Sequence, residues 1–165
     1  MDRLSILRYQ LPIKMELHIV DDISLELHEN RQTSVGDFEA GGILLGSIFD
    51  DIVRIEAISI PGGGDVRKRN YFQRDKTRAQ RLINQAYEYS HGITNYLGEW
   101  HTHYQEDPQP SQLDLTEILK TFKNSILPLN YILDIIVGRG DYIGDLWIGY
   151  VAERGVEPCS RIIER

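Results

Sequence analysis

The stretch GEWHTHYQEDPQPSQLD at residues 98–114 determines how the fold and the chemistry of this sequence are interpreted. It contains His101 and His103, then seven further residues, then Ser111 and, three positions on, Asp114. Side chains two positions apart on a β-strand lie on the same face, so a strand here would present both imidazoles together. Two imidazoles and a carboxylate are typical ligands of a divalent transition metal, most often zinc. Three protein ligands leave one position open for water, as in a catalytic zinc site.

The segment that begins at Ser111 also has a second interpretation. Serine followed three residues later by an acidic residue, just before an apolar run, is a common helix start in which the serine is the N-cap. A helix is therefore predicted from Ser111 to about Ser125, with apolar positions at Leu113, Ile118, Leu119 and Phe122. A cap can also present a metal ligand, so the two interpretations of this segment are compatible. Whether the serine hydroxyl serves the cap alone or a second role stays open at this point.

A second stretch, EAGGILLG at residues 39–46, completes a pattern with residues 101–114. Taken alone, Glu39 is an ordinary glutamate before a buried strand. Taken with the histidines, the serine and the aspartate, it resembles the signature of the JAMM/MPN metalloprotease family. In that family a glutamate on an early strand is followed by glycine and an apolar run. The resemblance extends from about Met15 to Val151.

The resemblance implies a role for each residue of the motif. His101, His103 and Asp114 would bind one Zn²⁺ with an open water position. Glu39 would be the general acid and base that moves a proton from the attacking water to the leaving amine. Ser111 would donate a hydrogen bond to the developing oxyanion.

The resemblance also implies the fold class: a mixed α/β domain with a central mixed β-sheet flanked by helices, similar to cytidine deaminases. Residues 1–165 would form a single JAMM/MPN-like metalloprotease domain. The sequence pattern agrees with alternating strands and helices. The predicted strands are 15–20, 42–48, 52–60, 96–103, 131–137 and 142–151, and the predicted helices are 76–91 and 111–125.

Three segments are less certain from their pattern. In residues 21–31, Ile23, Leu25 and Leu27 are spaced by two, which favours a strand, whereas the family resemblance implies a helix. Residues 61–70, PGGGDVRKRN, are interpreted as a flexible basic loop near the site. Residues 154–165 are interpreted as a polar tail.

Composition excludes several classes of function. The 165 residues suffice for one domain with a core, and the net charge of −7 argues against nucleic acid as a partner. The single cysteine, Cys159, excludes a disulfide framework within the chain. Neither a signal peptide nor an apolar stretch long enough to span a membrane is visible, so we expect a cytoplasmic protein without a membrane partner.

The expected activity is that of a deubiquitinase-like zinc isopeptidase. It would hydrolyse the amide between the C-terminus of a ubiquitin-like, or similarly conjugated, protein and its target, binding the C-terminal tail as an extended strand. Residues 107–111 resemble the RadC branch of the family. Residues 98–100 and 39–42 look more like compact bacterial peptidases encoded beside ubiquitin-conjugation-like enzymes, some of them in antiphage operons. The alternatives are an inactive MPN scaffold that binds partners and an amidase that acts on a small conjugate.

Two positions depart from the commonest family pattern. Thr102 replaces the usual serine between the histidines, and Tyr104 replaces the usual proline after the second histidine. Neither is an expected ligand. We expect Tyr104 to affect the shape of the groove beside the metal, and therefore the choice of substrate more than activity.

Overall fold

The computed structural model describes residues 6–163. Its strands are β1 (Leu7–Gln10), β2 (Glu16–Ile19), β3 (Gly41–Phe49), β4 (Ile52–Ile58), β5 (Val66–Lys68), β6 (Tyr71–Gln73), β7 (Asn95–Thr102), β8 (Tyr131–Val137), β9 (Leu146–Ala152), β10 (Gly155–Pro158) and β11 (Ser160–Arg161). Its helices are α1 (Asp21–Glu29), α2 (Lys76–Tyr89) and α3 (Gln112–Asn124). Within residues 6–163 no helix is both long and apolar enough to cross a membrane.

Nine of the strands form one mixed sheet in the order β10-β9-β8-β7-β3-β4-β2-β1-β11. The pairs β7–β8 and β2–β4 are parallel, and the other neighbouring pairs are antiparallel. All seven residues of β8 are buried, as expected for a strand covered on both faces. The mixed α/β fold class, with helices against a central sheet, is therefore confirmed.

Helices α2 and α3 cover one face of the sheet. There Ile43 and Leu45 of β3 and Ile132 of β8 form a cluster with Ala79 of α2 and Ile118 of α3. Because side chains alternate along a strand, the residues between them face the opposite side. The sheet is thus the middle layer of three, and His101 of β7 lies on the side of α2 and α3.

Helix α1 covers the opposite face. Ile23 and Leu27, which are four residues apart, join the cluster that contains Leu44, whereas Leu25 is 44% exposed. An i, i+4 pair lies on one side of a helix, and the residue between falls on the outer side. The helix implied by the resemblance is therefore correct, and the spacing of two was misleading.

Three other expectations from the sequence are wrong. The basic segment 61–70 is not simply a loop, because β5 pairs with β6 in an antiparallel hairpin that begins at Val66. The strand predicted at residues 142–151 begins only at Leu146. The polar tail contains β10, which pairs with β9, and β11, which pairs with β1. The hairpin and the strands of the tail are held by backbone pairing, which side-chain periodicity does not report.

Replacing Gly98 by alanine is expected to destabilise the fold by at least about 2 kcal/mol, through backbone strain and overpacking. Gly98 is in β7 with φ of 152°, and a Cβ there would overlap the carbonyl oxygen of Leu133 in β8 and lie 2.7 Å from its carbonyl carbon. Thermal unfolding should show a melting temperature lower by at least about 4 °C. Gly63→Ala is the control, because a Cβ at Gly63 meets nothing within 4 Å. Equal melting temperatures for the two variants would contradict this account.

Candidate metal centre

The two histidines come together where β7 ends. His101 is in the strand and His103 follows it, with the N–H of His103 donating to the carbonyl of Val137 at 3.0 Å, so the pairing with β8 continues. The Nε2 atoms of the two rings are 3.1 Å apart. The strand spacing therefore aims both imidazoles at one point.

Asp114, in the first turn of α3, brings a carboxylate to the same point. Its Oδ1 is 3.4 Å from Nε2 of His101, and its Oδ2 is 3.1 Å from Nε2 of His103. Oδ2 also accepts the N–H of Ser111 at 2.7 Å, while Oγ of Ser111 accepts the N–H of Asp114 at 3.1 Å. This reciprocal capping box fixes the position of the carboxylate relative to the histidines.

The hydrogen bonds of His103 determine which ring nitrogen is free. Its Nδ1 is 3.2 Å from Oε1 of Gln105, and the same oxygen accepts the N–H of Gln109 at 3.1 Å. An amide oxygen only accepts hydrogen bonds, so Nδ1 of His103 carries the hydrogen. In the neutral ring, Nε2 then presents a lone pair towards His101 and Asp114.

These distances fit a tetrahedral metal ion. Ligand atoms about 2.0–2.1 Å from a tetrahedral zinc are about 3.3 Å from one another. Nε2 of His101 and Nε2 of His103 are 3.1 Å apart, and they lie 3.4 Å from Oδ1 and 3.1 Å from Oδ2 of Asp114, respectively. Two imidazole nitrogens and a carboxylate that converge in this way are a set of donors that suits zinc.

Glu39 lies on another side of the same cluster. The residue is 6% exposed, and its Oε1 is 3.8 Å from Nε2 of His103. Ligand atoms of Glu39, His101 and His103 all lie within 4.8 Å of one another, so this set is a second possible group of metal ligands. Asp114 is nearer to His103 than Glu39 is and has a short contact with each histidine. This favours Asp114 as the third ligand and Glu39 as a group beside the metal.

The two carboxylates differ in their affinity for protons. Burial raises the pKa of Glu39 to about 7, against the opposing influence of His101 and His103. For Asp114, burial is outweighed by hydrogen bonds to the two imidazoles, which hold its pKa well below the usual range. The pKa of His101 is raised, because its hydrogen bond to Asp114 and the surrounding carboxylates outweigh burial. In this charge environment Asp114 stays ionised, while Glu39 can take up and release a proton near neutral pH.

Thr102 links the strand of the histidines to Glu39. Its hydroxyl accepts the N–H of Ala40 at 3.0 Å and donates to Oε1 of Gln32 at 2.9 Å, and its own N–H donates to the carbonyl of Ala40 at 2.9 Å. These bonds need a hydroxyl at position 102, which threonine supplies as serine would. The departure from the family pattern is therefore conservative here.

The backbone of Glu39 is held on its other side by the β5–β6 hairpin. The N–H of Glu39 donates to the carbonyl of Lys68 at 2.8 Å, and Nε of Arg67 donates to the carbonyl of Glu39 at 2.8 Å. The segment predicted as a flexible basic loop is thus an ordered neighbour of the candidate site.

A groove of about 790 Å³ adjoins the cluster, with β7 and β8 as its floor and β6, α2 and α3 beside it. In its floor Glu99 accepts two 2.8 Å hydrogen bonds from Nε of Arg74 and one of 2.6 Å from the hydroxyl of Tyr96. Asp134 of β8 also lines the groove, and burial raises its pKa to about 7. The groove therefore has a polar floor beside the cluster.

Several of these polar residues were not predicted as site residues from the sequence. For Glu99 there was a signal, since it shares a strand face with His101. For Gln32, Gln105 and Asp134 the sequence offers no motif. The guanidinium of Arg139 lies over the ring of Tyr104, 4.8 Å from its centre, and the expected effect of Tyr104 on the choice of substrate stays a prediction.

Comparisons with known proteins agree on one family. The family model described as prokaryotic homologs of the JAB domain matches residues 26–146. A protein of Escherichia coli (strain TW11681) named CD-NTase/cGAS isopeptidase is 35% identical over 143 residues, covering 87% of this chain and 86% of that protein. The probable metalloprotease y4qB of Sinorhizobium fredii is 28% identical over 125 residues, covering 73% of this chain and 76% of that one.

A solved structure supports the fold. The solution structure of protein DSY2949 from Desulfitobacterium hafniense has a TM-score of 0.56 at 18% identity, covering 81% of this chain and 82% of that one. At this level of identity the likeness concerns the fold alone.

Proposed function

Because this chain belongs to the prokaryotic JAB family and is a hydrolase of that family, we propose that it is a zinc-dependent isopeptidase acting on a protein conjugate. The bond hydrolysed is the amide between the C-terminus of one protein and an amine of its target. The observation that carries the proposal is the convergence of Nε2 of His101, Nε2 of His103 and the carboxylate of Asp114 within 3.4 Å of one another, with Glu39 beside them.

Each residue of the cluster has a distinct chemical role. His101, His103 and Asp114 hold the metal, which when bound supplies an activated water at neutral pH and polarises the substrate carbonyl. Glu39 removes a proton from the attacking water and delivers it to the departing amine. Its buried carboxylate suits this cycle, because burial raises its pKa and so favours the uptake of the proton from the water.

Ser111 stabilises the negative charge that develops on the carbonyl oxygen. Its oxygen accepts the N–H of Asp114 and thereby caps α3, which leaves the hydrogen of the hydroxyl available for donation. One hydroxyl therefore serves as cap and as oxyanion donor, because the first role uses a lone pair and the second uses the hydrogen.

The substrate is a protein with an extended C-terminal tail. In the described part of the chain β6 pairs with β5 alone, and β6 borders the groove that leads to the cluster. A tail lying in this groove can add a strand to the hairpin, with main-chain hydrogen bonds supplying affinity. Relatives named CD-NTase/cGAS isopeptidase support a CD-NTase-type protein, conjugated in the manner of a ubiquitin-like protein in an antiphage system, as the substrate.

The test uses a CD-NTase-type protein whose C-terminal carboxyl is joined to a lysine amine of a fluorescent protein. The metal-free chain should be inactive, and one equivalent of zinc should restore cleavage at the junction, identified by mass spectrometry. A matched conjugate with the last residues of the tail scrambled controls for general proteolysis. Zinc binding without cleavage of any conjugate would contradict the isopeptidase proposal.

Replacing Ser111 by glycine is expected to lower kcat by about 10²–10³-fold, the usual effect of removing one oxyanion donor. Glycine is an acceptable N-cap, so the free energy of unfolding should fall by only a few tenths of a kcal/mol. Ser111→Thr keeps both the cap and the hydroxyl and should retain most activity. Steady-state kinetics and thermal unfolding of the two variants check this. If the glycine variant differed from wild type only in KM, with kcat unchanged, the assigned role would be contradicted.

A further inference from the structure

Asp134 is a buried carboxylate without an evident structural role. It is 2% exposed, lies in the middle of β8 and lines the groove beside the cluster. In the described part of the chain its carboxylate makes no hydrogen bond or ion pair within bonding distance. Burying a carboxyl group without a hydrogen-bond donor beside it is costly, so the donors among its neighbours decide what role it has.

Glu99, the neighbouring acidic residue, does have partners for its carboxylate. Glu99 stands opposite Asp134 in the parallel β7–β8 register. Its charge is balanced by Arg74, whose Nη2 is 2.7 Å from Oε1, and its oxygens receive further hydrogen bonds from Nε of Arg74 and from Tyr96. Arg74 is thus committed to Glu99, and Asp134 is left uncompensated.

The ring of His101 is a neighbouring group that has a nitrogen without a hydrogen-bond partner. Since Glu99 pairs with Asp134 and His101 pairs with Ile136, His101 and Asp134 are diagonal neighbours on one face of the sheet. Asp134 also acts on His101 electrostatically, favouring positive charge on its ring. Nε2 of His101 faces the cluster, so Nδ1 is the nitrogen left for a partner outside it.

The two histidines differ in how this other nitrogen is held. Nδ1 of His103 is 3.2 Å from the amide oxygen of Gln105. Nδ1 of His101 has no hydrogen-bond acceptor among residues 6–163. A histidine that binds a metal through one nitrogen almost always donates the other N–H to a carboxylate, carbonyl or water. His101 lacks such an acceptor and Asp134 lacks a donor.

We propose that Asp134 is the positioning residue of His101, whose carboxylate accepts the Nδ1–H of the ring when Nε2 of His101 binds the metal. The hydrogen bond fixes the tautomer and the orientation of the ring and strengthens Nε2 as a ligand. The inference rests on the proposed metal centre, and it adds a residue that the family motif does not contain.

This role predicts that replacing Asp134 affects the stability of the metal-free protein and its affinity for metal differently. In the metal-free protein the described residues give the Asp134 carboxyl no hydrogen bond that a replacement would lose, so replacing it should leave the stability unchanged or raise it. In the loaded protein the same replacement removes the acceptor for His101, so metal affinity should fall. A residue that only supports the fold would lower stability when replaced.

The experiment compares Asp134→Leu and Asp134→Asn with wild type. Zinc affinity is measured by competition with a chromophoric chelator, and thermal unfolding is measured on the metal-free proteins. We expect zinc affinity to fall by about 10–100-fold for leucine, the usual effect of losing such a partner, and by less for asparagine, which keeps an acceptor oxygen. The visible spectrum of the Co²⁺-loaded asparagine variant should differ from that of wild type. Glu117→Leu, which removes an exposed carboxylate lining the same groove, should change none of these properties.

The outcomes separate this inference from the proposed function. If wild type binds zinc and both Asp134 variants bind it equally well, the inference is wrong and the metal centre stands. If both variants lose metal-free stability and affinity together, Asp134 has only a structural role and the inference is again wrong. If wild type itself binds no zinc, the proposed metal centre is wrong and the inference falls with it.

Discussion

Replacing Glu39 by glutamine is expected to lower kcat for amide hydrolysis by about 10²–10⁴-fold, while zinc content stays at that of wild type. Glutamine has nearly the same shape but cannot accept and return a proton. Because the glutamate is buried, the neutral side chain should also be tolerated by the fold. Zinc content by elemental analysis and kcat on the same protein preparation test both halves of this expectation.

The control for this variant is Glu106→Gln. Glu106 lies in the loop after the histidines and pairs with Arg139 at the surface. It has no assigned role in the cluster. It should retain full activity. Full activity of Glu39→Gln would exclude Glu39 as the proton carrier. Loss of zinc in that variant would instead make Glu39 a ligand, which its place within 4.8 Å of both histidines allows geometrically.

Replacing Asp114 by asparagine is expected to reduce zinc content from about one per chain to a small fraction of that, and activity with it. The change removes the negative charge that balances the metal, and a neutral amide is a poor ligand for zinc. Asparagine can still accept the N–H of Ser111, so the start of α3 is preserved. Circular dichroism of the metal-free variant should match that of wild type.

Asp75→Asn is the matched control for this change. Asp75 is the N-cap of α2 and accepts the N–H of Arg78 at 2.6 Å, and asparagine caps helices about as well as aspartate. This variant should keep its zinc. If Asp114→Asn retained zinc while Glu39→Gln lost it, the ligand set would be His101, His103 and Glu39, and the proton carrier would have to be sought elsewhere.

The features predicted best from the sequence are those determined by a short stretch of it. The spacing of His101 and His103 follows from the period of a strand, and the start of α3 follows from Ser111 and Asp114, so both could be read from short stretches. The structure brings Glu39 to the same cluster, but only the family resemblance suggested this, because nothing in its local pattern distinguishes it. The functional roles of these residues stay predictions until the variants are measured.

What the sequence did not predict depends on contacts between distant segments. The hairpin of β5 and β6 consists of strands of three residues, too short for a periodic signal. Gln32 was missed because its partner, the hydroxyl of Thr102, is brought to it only by the tertiary fold. Asp134 sits in a run of apolar residues, and its position beside His101 depends on the parallel register of β7 and β8.

The backbone around Glu39 is hydrogen-bonded to two elements, the β5–β6 hairpin and the strand that carries the histidines. Its own N–H and carbonyl are bonded to the hairpin, and the next residue, Ala40, is bonded to Thr102 between the two histidines. A chain that pairs with the hairpin therefore lies beside a segment whose backbone hydrogen bonds lead directly to Glu39. We expect a chain that fits the hairpin poorly to be turned over more slowly as well as bound more weakly.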